Sequence, residues 1–492
     1  FGSVSRAVAV WRGPFDRRFL AALLVSSMFR QGRPEEERDF SSADDGADVS
    51  SDDAELDVDK KQTCVGCTTC DTVLCDIKFC CEPRTCCLAT CCSCCCFLLL
   101  IIGGLAYVAW TLVGLESNRK NCHDPHMTPV EFPRYSGCAG CRTGYKTNDE
   151  LKACLEPCTT LEYVLDWEKQ AKELGYKLVY FPSRPGPKGE PPVNISAWWL
   201  PPPPRPGVAP RDQPRVVALH GLASNNNHCG VQATCFLLRQ IGYGCLTPSV
   251  RDFGLSGKSD HPTILTWGYD YHMDLLGAWD YAVTDPDGLL GGASTPSKVG
   301  LAGFSKGGLG AALAFGMERK VPGVWMDSAP FSGLSHMIDA AIRPYAGWVL
   351  TPLLAGIVTY WGKTLGGQRV DYYNAWTVLQ KCTGPPRHVA VSQGWFDGDV
   401  PVSEGNQAMQ LFNGVPECYI ATEYTPPAYC NGYTHHQEMW EFSSDMRKVM
   451  CKFWTQTFGQ TEDYCELSTL PNYQKWTPLD KLPPGTPKTY FV

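Results

Sequence analysis

The chemistry in this chain gathers around Gly303-Phe304-Ser305-Lys306-Gly307-Gly308. An apolar run with β character, Ser297 to Gly303, leads into it, and the small-residue run Leu309 to Met317 leaves it at helix length. A serine at such a strand–turn–helix corner stands clear of the backbone, and the small neighbours Gly303 and Gly307 leave room for a strained turn. A serine hydroxyl is a weak nucleophile at neutral pH. It needs a histidine to take its proton and a carboxylate to orient that histidine. Both partners lie further along the chain. Asp327, Asp397 and Asp399 follow apolar strand-like runs, and His435-His436 follows Asn431-Gly432. Adjacent histidines at a helix start point in different directions, so one of the pair faces the serine.

Positioning these groups takes a sheet. From about residue 163 the pattern becomes globular, and Tyr176–Phe181, Val193–Leu200, Arg215–His220 and Gly244–Thr247 read as strands. The elbow strand, Val321–Met326, His388–Ser392 and Glu417–Ala421 continue the series. Val231–Ile241, Tyr271–Val283 and His436–Trp454 read as helices between or after them. Alternating strands and helices predict a mostly parallel central sheet covered by helices on both faces. Between the strands near Asp327 and His388, residues of about 331–380 read as an irregular insertion rich in Gly and large rings. These include Phe331, Trp348, Tyr360, Trp361 and Trp376. Either the wall of a pocket or extra core would account for so many rings.

The first 160 residues differ in kind. Residues 1–63 read as a targeting segment or disordered chain: an Arg-rich stretch runs into the acidic, aromatic-poor Glu35–Asp59. Thirteen of the 26 cysteines fall between Cys64 and Cys96, many of them adjacent, which suits neither tetrahedral zinc nor bridges between neighbours. Placed before an apolar stretch, this juxtamembrane segment suits S-acylation. Phe97–Leu115 is 19 residues without a charge, the length of a single membrane-spanning helix. Residues 116–160 form a Cys-rich linker. The flanking charges do not decide orientation, but the Asn194-Ile195-Ser196 sequon and the cysteines from Cys122 to Cys158 favour a lumenal or extracellular C-terminal part. A net charge of −8 offers no basic face, so no nucleic-acid partner is expected. No phosphate loop, dinucleotide fingerprint or complete metalloprotease motif occurs, so neither cofactor nor metal is expected.

Residues of about 175–457, within a domain taken as 161–460 and followed by a tail at 461–492, resemble the α/β-hydrolase superfamily of serine esterases, lipases and peptidases. The resemblance rests on His220-Gly221, the loop Arg251-Asp252-x-Gly254-x-Ser256, the Gly303–Gly307 elbow and Gly394-x2-Asp397-x2-Val400-Pro401. Trp267–Asp270 and Asp274–Trp279 are further similar to the serine aminopeptidase-like branch. The resemblance implies an α/β-hydrolase fold, with the insertion of about 331–380 as a cap whose aromatic wall lines an acyl pocket, and a triad of Ser305, Asp397 and His435, in the order Ser, Asp, His. It also implies oxyanion-hole backbone donors at Leu222 and Lys306, with the Lys306 side chain directed to solvent. The expected enzyme is a membrane-anchored hydrolase of ester, thioester or amide bonds in small-molecule or lipid-like acyl substrates, working through an acyl-serine. A catalytically silent hydrolase fold serving as a binding or adhesion module is the alternative. It has no need of Ser305, Asp397 and His435 together.

Overall fold

The computed structural model describes residues 83–114, 176–222, 225–226, 229–394, 397, 400–424 and 444–460. All lie in the second of two compact units, residues 81–492. The expectations for residues 1–82, for the linker 116–160, for Asp399, His435 and His436, and for the tail fall outside the described residues.

A single eight-stranded sheet organises the domain. Its strands are β1 (Lys177–Pro182), β2 (Asn194–Leu200), β3 (Arg215–Leu219), β4 (Gly244–Pro248), β5 (Val299–Phe304), β6 (Gly323–Asp327), β7 (Arg387–Ser392) and β8 (Tyr419–Tyr424), in spatial order β1-β2-β4-β3-β5-β6-β7-β8. β2 is antiparallel to both of its neighbours, and every pairing from β4 through β3 to β8 is parallel. The central strands β3, β4, β5 and β6 are buried along their whole length, the mark of a parallel sheet covered on both faces. The helices that cover it include α2 (Cys229–Gln240), α3 (Tyr271–Thr284), α4 (Lys306–Met317), α7 (Val402–Gly414) and α8 (Ser444–Thr457). This is the α/β-hydrolase-like arrangement. Its elbow follows β5, in the middle of the sheet.

Close approach explains the glycines of the elbow. A Cβ on Gly303 would collide with the carbonyl of Gly307, and one on Gly307 would collide with the carbonyls of Leu219 and His220. The α4 backbone therefore rests directly on the ends of β3 and β5.

Two expectations need correction. The stretch 97–115 is not a free membrane span. Its residues 97–113 form the second half of a helix, α1 (Pro83–Val113), and among the described residues no helix is long and apolar enough to cross a membrane. Ala109 and Val113 are fully packed into the domain core. The last carbonyls of α1 also accept hydrogen bonds from the domain: Leu265 N–H to Val113 at 2.7 Å and the Trp267 indole to Leu112 at 3.2 Å. A span would leave that end to lipid or water. The apolar character of this half is spent partly on protein contact, a pattern that composition does not distinguish from a span.

The insertion is also not irregular. It contains a long helix, α5 (Leu334–Gly366), then the short α6 (Ala375–Gln380). Gly333, Gly347 and Gly367 all have φ near +60 to +76°, and they mark the start, a break inside and the end of α5. The glycines that looked like loop composition are helix punctuation. Nor do the rings form one wall. Phe331 is buried, and Trp361 and Trp376 pack against the core, whereas Trp348 is 82% exposed and Tyr360 67% exposed.

His272, on α3, is buried, with neither ring nitrogen hydrogen-bonded and the Tyr373 ring edge-on at 5.3 Å. Burial pushes its pKa down to about 4. The unfolded chain binds this proton near pH 6.5, so the folded form loses stability as pH falls from about 6.5 towards 4. The loss attributable to this residue is about 3 kcal/mol. Denaturant titrations at pH 7 and pH 4.5 should show His272→Met keeping most of the stability that wild type loses. An equal acid loss in both proteins would contradict this account.

Candidate active site

Ser305 sits where β5 turns into α4, with φ 51° and ψ −121°. A non-glycine residue there carries strain of about 1–3 kcal/mol and persists because its surroundings hold it. Its N–H donates to the carbonyl of Asp327 at 2.8 Å, and its carbonyl accepts from Leu309 N–H at 3.1 Å. One bond ties the turn to the next strand and the other begins the helix, so the serine is clamped from both sides. Ser305 is largely buried, at the carboxyl edge of the sheet.

Lys306 and Leu222 meet around one small cavity at this edge. Its lining includes His220, Gly221, Leu222, Phe253, Tyr271 and Lys306. The Lys306 N–H belongs to the first turn of α4, where backbone donors are not used by the helix and the macrodipole favours negative charge. Leu222 follows β3 in the adjoining loop. His220 is a structural residue here. Its Nε2 accepts from Val250 N–H at 3.3 Å and its Nδ1 lies 2.9 Å from the Gly221 carbonyl, which ties the two loops together.

The side chain of Lys306 does not point to solvent. It is 6% exposed, and its ammonium lies 3.9 Å from the centre of the Tyr271 ring and 5.3 Å from that of Trp267. Ring faces attract a cation most strongly where water is excluded, by about 2 kcal/mol. The expectation failed because sequence supplies no partner for a lysine until the 267–271 segment folds back over the elbow. These two rings were not anticipated as site residues, although Trp267 belongs to a segment that carried the resemblance and Tyr271 directly follows it.

What holds that segment is a buried ionic network. Arg251 reaches Asp274 at 2.7 Å and Asp270 at 3.0 Å, and all three side chains are essentially inaccessible. Asp270 also accepts from Thr266 Oγ1 at 2.6 Å and lies 3.0 Å from His261 Nε2. Burial pushes the Asp274 carboxyl up, to about 6, against the pull of Arg251. Asp270 stays below its ordinary range, because His261, Arg251 and Thr266 outweigh its burial. Arg251 of that signature is thus a brace between the loop after β4 and the start of α3, while Asp252 accepts from Ser259 within its own loop.

Of the acid candidates, Asp397 lies on the loop after β7, half-buried, accepting from Val400 N–H at 2.8 Å and Gln393 Nε2 at 3.1 Å. Asp327 ends β6, fully buried, one strand nearer to the serine and tied to it through the backbone. The structure therefore brings Leu222 and Lys306, the residue after Ser305, together around one cavity and sets Asp397 on the same edge, two strands away.

No family model matches the chain, and no curated protein matches it. Among solved structures, it is similar to an esterase of Pyrococcus furiosus at 18% identity and a TM-score of 0.42, over 58% of this chain and 93% of that one. Est1E from Butyrivibrio proteoclasticus is similar at 17% identity and a TM-score of 0.34, over 56% and 98%. Pyrococcus horikoshii acylaminoacyl peptidase is similar at 11% identity and a TM-score of 0.39, over 59% of this chain and 44% of that one.

Proposed function

We propose that this protein is a serine hydrolase of the α/β-hydrolase superfamily that cleaves acyl esters or thioesters. The observation that carries the reading is Ser305, held in a strained turn between the end of β5 and the N-terminus of α4 beside a small cavity. Ser305 attacks the acyl carbonyl while the histidine, assigned to His435 by the resemblance, takes its proton and Asp397 orients that base. The oxyanion forms against the backbone N–H groups of Lys306 and Leu222, and the caged ammonium of Lys306 adds positive potential behind them. The histidine then returns its proton to the leaving oxygen or sulfur, and water resolves the acyl-serine by the same route. Leu219, Leu222, Val250 and Phe253 contribute to the lining of the cavity. A fluorophosphonate probe should label the chain, with the adduct mapped to Ser305 and labelling reduced in Asp397→Asn. Absence of labelling in folded protein, or an adduct on another residue, would remove the proposal. Labelling lost in Asp327→Asn and kept in Asp397→Asn would move the acid to β6.

An oxidising compartment is part of this reading. Cys235–Cys245 and Cys382–Cys418 are disulfides, and Cys451 is also disulfide-bonded, a pattern of secreted or lumenal proteins. Asn194 of the sequon is exposed at the start of β2. Protein made through the secretory pathway should therefore lose mass on glycosidase treatment, and Asn194→Gln protein should not. A wild-type mass that glycosidase leaves unchanged would count against this compartment.

A further inference from the structure

Helices α1 and α5 lie side by side, and each is two-faced. On α1 the buried Ala109 and Val113 share one face with the partly buried Leu105 and Leu112. The opposite stripe carries Leu100 and Tyr107, 74% and 50% exposed, and Leu99 on the flank towards the helix start is 67% exposed. On α5 the buried Thr351, Ala355 and Val358 face inward, while Trp348, Val349, Leu353 and Tyr360 are 62 to 82% exposed. Large apolar side chains this open to water, set along two neighbouring helices, exceed the scattered exposure of an ordinary surface.

The chemistry of the stripes points to their partner. No ionisable residue other than the phenols occurs from Phe97 to Leu115 or from Pro344 to Gly362, a stretch of 19 residues in each case. Basic residues flank the α5 stripe instead, each beside an acid: Arg343 pairs with Asp339 and Lys363 lies 3.8 Å from Asp371, with the basic side chains 63% and 53% exposed. Apolar residues between basic ends, with Trp and Tyr among them, match the layering of a bilayer surface. Chains lie below, amphipathic rings sit at the headgroup level and cations meet the phosphates. The break at Gly347 immediately precedes the exposed Trp348 and Val349.

We infer that the outer faces of α1 and α5 form one surface that docks the domain onto phospholipid, with the helices lying in the interface and Trp348 and Leu353 inserted. This replaces a single spanning helix by in-plane contact and gives the insertion after β6 a role outside the catalytic cavity. It does not depend on the hydrolase reading.

The test is flotation of the full chain with phosphatidylcholine vesicles, with and without phosphatidylserine. Wild type should float with both. A Trp348→Glu/Leu353→Glu variant should bind at least about ten-fold more weakly, since each buried side chain of this size is worth about a factor of ten or more. Its thermal unfolding should match wild type, because both residues are already in water. Leu289→Glu, on an exposed loop elsewhere, should float as wild type does. Unchanged flotation of the double variant, or no flotation of wild type, overturns the inference. So does a wild-type dimer in solution that the double variant converts to monomer, which would assign the face to a second copy. Turnover of a short water-soluble ester is read in parallel. If it is absent from wild type the hydrolase reading fails, while the flotation result stands on its own.

Discussion

Ser305→Ala is expected to lower ester turnover by about four to six orders of magnitude, with thermal unfolding unchanged within experimental error. The size of the loss follows from the chemistry. Removing the hydroxyl removes the acyl-enzyme route, and the general base then has nothing to activate but water. Variants of this kind retain only what binding and the oxyanion donors supply, a loss of about 10⁴ to 10⁶ in kcat. The insensitivity of the fold follows from the geometry. The two hydrogen bonds that clamp residue 305 use its backbone N–H and carbonyl, which alanine keeps. The φ of 51° is as unfavourable for alanine as for serine, so the strain is unchanged. Glycine separates the two properties further. Ser305→Gly should be equally inactive and more stable by about 1 kcal/mol, because glycine carries no such strain. Steady-state kinetics on a chromogenic ester and a melting curve for each variant decide the matter. Alanine protein that keeps a tenth or more of wild-type turnover would end the serine mechanism, and glycine protein that melts lower would contradict the strain.

The second large effect concerns the brace, not the nucleophile. Arg251→Met should destabilise the domain by about 3–5 kcal/mol, because it leaves the buried carboxylates of Asp270 and Asp274 without their common cation. The pair is not valuable because ion pairs stabilise in general; burying three charges costs roughly what their attraction returns. The penalty comes from breaking one side alone. Adding Asp270→Asn and Asp274→Asn to Arg251→Met should therefore recover part of the loss. Arg251→Lys should not substitute, since one guanidinium spans both acids from Nη1 and Nη2 while also donating from Nε to Asp274. Without the guanidinium, burial and the neighbouring Asp270 carboxylate act on Asp274 against only the backbone N–H of residue 251, which raises its carboxyl above the present value of about 6 and favours the neutral acid at pH 7. Denaturant unfolding should accordingly show a smaller deficit at pH 5.5 than at pH 8. Because the brace fixes the start of α3, which carries Tyr271 over Lys306, turnover should fall as well in whatever fraction remains folded. A loss below about 1 kcal/mol would mean that water reaches the site and the network is not sealed.

Local chemistry made much of this domain legible in the sequence. The elbow is written in Gly303, Ser305 and Gly307 because only small residues survive a turn whose backbone touches two neighbouring strands. β3, β5 and β6 are continuous apolar runs because a parallel sheet buries both faces, and the alternation of strands with helices carries the layer order with it. What sequence could not settle was decided by pieces of chain far apart in number. Lys306 is buried because Trp267 and Tyr271 arrive over it from another loop, and a lysine taken alone belongs in water. Phe97 to Leu115 is apolar enough for lipid, yet Val113 ends against Leu265 and the core, and hydropathy counts apolar residues without saying what they touch. The glycines of the insertion looked like loop because composition does not reveal that three of them punctuate a helix with positive φ. Ser305, Lys306, Tyr271 and Arg251 come together only when strands β3, β4 and β5 are paired, since their nearness is a property of the sheet edge and of no segment by itself.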